Sequence, residues 1–97
     1  MFTVVFTPEA LEDLRQFRTY ERRQIIGEIE QQLRYQPHQA TRNRKRLRPN
    51  ALAEWELRID TFRVFYDLDE ETQQVKIEAV GYKKGNQLFV HGERYYL

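Results

Sequence analysis

Ninety-seven residues predict one domain, spanning 1–97, with a single modest core. The chain is 40% hydrophobic and 13% aromatic, which excludes intrinsic disorder, and its lack of cysteine excludes a disulfide framework and any Cys-ligated zinc or iron site. Net charge is only +1, yet residues 42–48, RNRKRLR, hold five basic groups and no acidic one, a local field suited to a polyanion.

Phe2 to Phe6 (FTVVF) is β-branched and aromatic, the composition of a short strand. No basic segment precedes it, no small-residue cleavage site follows, and no later segment is long and apolar enough to span a bilayer. An unexported cytoplasmic protein with no membrane partner is therefore expected. Thr7, Pro8 and Glu9 read as an N-cap, a proline in the first helical turn and an acid at the positive helix end. Ala10, Leu11, Leu14 and Phe17 give that helix its apolar stripe. A second helix is predicted from about Tyr20 to Tyr35, with Ile25, Ile26, Ile29 and Leu33 at helical spacing and Pro37 as its stop.

After Lys45 the hydrophobic period changes to two. Trp55, Leu57 and Ile59 alternate in EWELRI, then Phe62, Val64, Tyr66 and Leu68 in FRVFYDL, then Val75, Ile77 and Ala79 in QVKIEAV. Three strands with one buried face follow, joined by Asp60-Thr61 and by the polar run Asp69 to Gln73. The fold class predicted is α+β: an N-terminal strand and helical hairpin packed on an antiparallel β-meander. The tail GNQLFVHGERYYL opens with a turn signal and fits either a short strand or a terminal turn.

The two-residue turn sets the register of the first hairpin, so Ile59 opposes Phe62, Leu57 opposes Val64 and Trp55 opposes Tyr66 on the buried side. On the other side Arg58 opposes Arg63, a like-charge pair that costs a few tenths to about 1 kcal/mol. Two readings are open. Either both guanidinium groups splay into water with Glu56 and Asp60 offsetting the repulsion, or they converge on an anion whose oxygens match the planar fork of arginine.

Other chemistries find little support. His38 and His91 lack the partners of a metal site, and no cofactor-binding pattern is present. Serine is absent altogether, which excludes serine nucleophiles.

The order strand, helical hairpin and meander, with KRLRP, WELRIDTFRVFYDLD and VKIEAVGYKKGN, resembles the RelE/ParE superfamily of type II toxin–antitoxin toxins over nearly the whole chain. For the RelE-like branch the resemblance implies ribosome-dependent, metal-free mRNA cleavage, in which a ribose 2′-OH attacks the adjacent phosphate. It also implies a cognate antitoxin partner that wraps the toxin. The alternative implied is a ParE-like toxin that inhibits DNA gyrase without catalysis. Carried over by motif, the catalytic set is Arg63, Lys83, Arg46 and, as a substitute proton-transfer group, His91. The RNA-binding set is Arg42, Arg44, Lys45, Arg48, Arg58 and Lys84. Phe89 stands where that branch has a catalytic tyrosine, so a hydroxyl would have to come from Tyr95 or Tyr96. Strand alternation through KRLR is expected to send Leu47 to the core and both Arg46 and Arg48 to the face of Arg58 and Arg63, with Lys45 at the rim.

Overall fold

The computed structural model describes all residues from Met1 to Leu97. In chain order the elements are β1 (Thr3–Phe6), α1 (Pro8–Arg15), α2 (Thr19–Leu33), β2 (Arg44–Arg46), β3 (Trp55–Ile59), β4 (Phe62–Asp69), β5 (Gln74–Lys84), β6 (Gln87–Val90) and β7 (Glu93–Tyr95). Strands β2 to β7 form an antiparallel path in sequence order, and β1 lies parallel to the first half of β5, so one seven-stranded sheet carries both helices. This is the expected α+β architecture, with β1 joining the sheet. No helix is long and apolar enough to cross a membrane.

The helix starts form as their residues dictate. The Ala10 amide donates to Thr7 Oγ1 at 3.1 Å, closing the first turn behind Pro8. The Glu21 carboxylate accepts the Arg18 amide at 2.9 Å and does the same for α2. Ile25, Ile29 and Leu33 bury the inner face of α2, whereas Ile26 turns outward. In α1 the buried stripe is Ala10, Asp13 and Leu14. Leu11, expected in that stripe, is 48% exposed, and a carboxylate occupies the inward position.

Ala10, Leu14, Ile25, Ile29 and Leu33 pack with Trp55, Leu57, Val64, Tyr66, Val75 and Ile77 into one helix-side core. The Tyr66 hydroxyl is fully buried and donates to the Pro37 carbonyl at 2.8 Å, which ties the segment after α2 to the sheet. Burial pushes the pKa of this phenol up, opposed by the charge of Arg44.

The first hairpin has the expected register, including Arg58 opposite Arg63. Asp60 opens its turn with φ 50°. Between β4 and β5 the ladder slips: Phe65 pairs Ala79 but Tyr66 pairs Ile77, leaving Glu78 as an extra, bulged residue. The bulge reverses the alternation along β5. Ala79, expected beside Val75 and Ile77, therefore points away from the helices, and Val80 fills the helix-side core in its place.

A second small core results on the far face, where Phe65, Ala79, Leu88 and Val90 are covered by Ala53, Leu47, Leu52 and Tyr95. The sheet is thus buried on both sides at its centre, against the expectation of one buried face. The tail resolves as a hairpin: β6 and β7 are joined by His91 and Gly92, with φ 55° and 76°, the left-handed pair that a type I′ turn requires.

Candidate functional site

Direct partners in an antiparallel ladder project to the same side of the sheet. On the side away from the helices the register aligns three rows: Lys45, Glu56, Phe65 and Ala79; Arg58, Arg63 and Gly81; Lys83, Leu88 and Tyr95. The segment between β2 and β3 and the residues after β7 rise around this face and leave an open concavity of about 620 Å³. Lys45, Arg48, Lys83 and Arg94 line it, with a single acidic side chain, Glu56, and with Tyr95 and Tyr96. Four basic side chains against one acidic one give the hollow a positive field, strengthened by its concave shape.

Arg63 is buried in the sheet behind Glu56, with only 6% of its surface exposed. Its Nη1 donates to the carbonyls of Asp60 and Phe62, both at 2.8 Å, and its Nε lies 3.4 Å from Glu56 Oε1. Burial lowers its pKa, Glu56 opposes that effect and Arg58 adds to it. The repulsion expected between Arg58 and Arg63 is therefore relieved by splitting the pair. Arg58 stays in water, while Arg63 turns inward onto carbonyls and Glu56. Asp60 contributes its carbonyl to Arg63, and its carboxylate accepts from Gln24 Nε2.

Of the sequence-derived residues, Lys45, Arg48 and Lys83 meet in the concavity, and Arg63 and Arg58 lie beside it on the same face. Arg42 is exposed in the loop before β2. Arg44 and Arg46 are on the opposite side. Lys45 is the residue across from Glu56, so the parity of β2 is reversed relative to expectation, and Arg44 and Arg46 share the helix side with Leu57 and Trp55. The Arg44 guanidinium donates to the carbonyls of Gln32 at 2.6 Å and Gln39 at 3.1 Å, pinning β2 to the end of α2. Arg46 meets Glu54 at 3.3 Å and stands 6.0 Å from the Trp55 ring centroid. Leu47 packs into the far-face core, not the helix-side one. Lys84 pairs with Gln87 on the helix-side parity and does not line the concavity.

His91 also departs from the expected site. Its Nδ1 is 2.8 Å from Oδ1 of the buried Asp13, and a carboxylate acceptor fixes the ring proton on Nδ1. Asp13 Oδ2 accepts the Val80 amide at 2.9 Å, so one carboxylate joins α1, β5 and the last turn. Phe89, at the position of the family tyrosine, stacks on Tyr82 with centroids 5.3 Å apart, and Tyr82 meets Phe17 edge-on. Tyr95, paired with Leu88, and its neighbour Tyr96 are the tyrosines that line the concavity. Sequence reading overlooked Arg94. The left-handed pair His91-Gly92 is the signal that would have folded GERYYL back onto the sheet.

A second hollow of about 630 Å³ lies beyond the bulge, lined among others by Arg46, Arg48, Glu54, Asp67 and Glu78. The Glu78 carboxyl is pushed up to about 7, first by burial and then by its hydrogen bond with Asp67, with Lys76 pulling the other way and the charges of Asp67 and Glu9 adding to the rise.

Among curated proteins none matches the sequence closely enough to count as a relative. Among solved structures, the chain is similar to one in the RelBE2 toxin–antitoxin complex of Mycobacterium tuberculosis. The TM-score is 0.74 at 27% identity, covering 84% of this chain and 91% of that one. The family model for the ParE toxin of the type II toxin–antitoxin system parDE matches residues 4–86. A match over so much of the chain, on a fold shared with a toxin–antitoxin protein, shows that this protein belongs to the ParE toxin family, a type II toxin of the RelE/ParE superfamily.

Proposed function

We propose that this toxin is a ribosome-dependent mRNA endoribonuclease that arrests translation in the cytoplasm. The observation that carries the reading is the convergence of Lys45, Arg48, Lys83 and Arg94 with Glu56 and Tyr95 on one concave face. In the reaction the ribose 2′-oxygen bonds to the neighbouring phosphorus and the bond from phosphorus to the 5′-oxygen breaks. The products are a 2′,3′-cyclic phosphate and a 5′-hydroxyl. The phosphorane carries extra negative charge on its non-bridging oxygens, and preorganised cations stabilise it more than they stabilise the ground state. Lys45 and Lys83, on opposite walls of the hollow, are the phosphate clamp, and Arg48 and Arg94 hold the flanking backbone. Tyr95 is the hydroxyl that protonates the leaving 5′-oxygen. Arg58 and Arg42 add long-range attraction for RNA.

The partner is a cognate antitoxin, as the RelBE2 complex is for the similar chain. The helices and the residues just after α2 offer Leu11, Tyr20, Ile26 and Tyr35 as exposed apolar surface for it.

Two observations favour a second reading, a gyrase-inhibiting toxin without catalysis: the matching family model is that of ParE toxins, and Phe89 supplies no hydroxyl. RNA from cells expressing the toxin separates the two. Internal breaks ending in 2′,3′-cyclic phosphate and 5′-hydroxyl, with translation failing first, are expected. Intact mRNA with loss of DNA supercoiling would overturn the nuclease reading.

A further inference from the structure

Glu56 is the only acidic side chain in a hollow to which four basic side chains contribute. Its position is built into the sheet on three sides. Lys45 stands across from it on β2, Phe65 stands across from it on β4, and Nε of the buried Arg63 lies 3.4 Å from its Oε1. No hydrogen-bond donor of the protein reaches its carboxylate, while its side chain is only 15% exposed. Glu56 is the charge partner of Arg63 and at the same time lines the hollow, so its carboxylate faces both the buried guanidinium and the space a ligand would enter. Resting on the endoribonuclease reading, we propose that Glu56 is the catalytic base that removes the 2′-OH proton, with Arg63 as the positioning residue that holds it.

The step balances without a further reactant. The 2′-hydroxyl proton passes to a Glu56 carboxylate oxygen as the bond from the 2′-oxygen to phosphorus forms. The bond to the 5′-oxygen breaks, and the departing oxygen takes the Tyr95 hydroxyl proton. The net proton moved from Tyr95 to Glu56 returns through water after product release. Lys45, beside Glu56 in the register, lies where it can meet the phosphate whose neighbouring ribose Glu56 deprotonates, so base and clamp come from adjacent strands.

The test is single-turnover cleavage of ribosome-bound mRNA by the full chain and by Glu56→Gln, with a 2′-deoxy mRNA at the cleavage position to measure binding. The expected result for Glu56→Gln is a cleavage rate lowered by about 10²–10⁴-fold, the usual worth of a positioned base, with binding of the 2′-deoxy message unchanged. The residual rate of the variant should climb tenfold per pH unit as hydroxide replaces the missing base, a slope absent from the parent over the same range. Glu56→Asp keeps the charge facing Arg63 and withdraws the carboxylate by one methylene. It should fold like the parent and cleave more slowly than it but faster than Glu56→Gln, which keeps the proposal testable if the Gln variant fails to fold. Parent-like cleavage by Glu56→Gln, or weaker binding of the 2′-deoxy message that accounts for all of its loss, would overturn the role of Glu56. Absence of cleavage by the parent itself would instead overturn the endoribonuclease reading, and the base with it.

Discussion

Asp13 and His91, 78 residues apart in sequence, are joined by a 2.8 Å hydrogen bond that ties the first helix to the last hairpin turn. The carboxylate is 4% exposed and also accepts the Val80 amide, so its removal leaves a buried N–H without a partner. Asp13→Ala should lose about 2–3 kcal/mol of stability, read as a lower urea midpoint, because a buried donor is orphaned and a charged acceptor lost. His91→Ala should lose less, about 1 kcal/mol, and should still arrest growth, since His91 serves the fold and not the cationic hollow.

Neighbouring residues of β2 should behave oppositely. Lys45→Ala should lower mRNA cleavage by about 10²-fold, as removal of one charge-stabilising donor does elsewhere, and leave the melting temperature nearly unchanged. Arg46→Ala should leave cleavage near the parent level, because Arg46 is engaged with Glu54 and Trp55 and does not line the cationic hollow. Single-turnover assays of the two purified variants make the comparison.

Glu78 should make stability fall as pH rises through the weakly acidic range. Its folded pKa of about 7 exceeds the ordinary value of 4.5, so between these the folded state binds more protons than the unfolded one. This contribution is fully present below 4.5 and is lost as pH passes 7. Glu78→Gln removes the ionisable group and should flatten that slope, with a gain on the order of 1 kcal/mol at neutral pH after solvent screening is allowed for. Denaturation series in urea across this range provide the check.

Gly81→Ala should be severe although its backbone is ordinary. A Cβ there would lie 2.3 Å from the Phe89 carbonyl oxygen and 2.7 Å from Val90 Cγ2, so β5 and β6 must separate. The expected cost is about 3 kcal/mol, the upper part of the overpacking range, with a large drop in thermal midpoint.

The local chemistry of the fold was legible in the sequence. Thr7-Pro8-Glu9 opens a helix, Pro37 follows the end of another, and Asp60-Thr61 sets a register that includes the Arg58–Arg63 pair. What misled was parity. The bulge at Glu78 inserts one residue without altering the apolar pattern, so Ala79 and Val80 exchange sides. Three residues of β2 are too few for alternation to fix a face, and the apolar Leu47 beside them points Arg46 to the wrong one. Asp13 escaped notice because an aspartate in a helix reads as solvent-facing. Its partners lie 67 and 78 residues downstream, beyond any local signal. Lys45, Arg48 and Lys83 were named from sequence and do meet, whereas Arg94 joins them only because a left-handed turn returns the tail.

The parallel seat of β1 on β5 has a consequence for how the molecule is made. Thr7 Oγ1 donates to the Glu78 carbonyl, 71 residues later, and β1 and α1 lack the strand they rest on until β5 has been synthesised. Contacts of such separation form late, after the local hairpins of the meander. During translation the cationic hollow is incomplete too, since Lys83, Arg94 and Tyr95 follow Lys45 and Arg48 by about 35 to 50 positions. Lys45 and Glu56 on the early strands therefore wait for partners from the late ones, and the hollow closes only when the meander is complete.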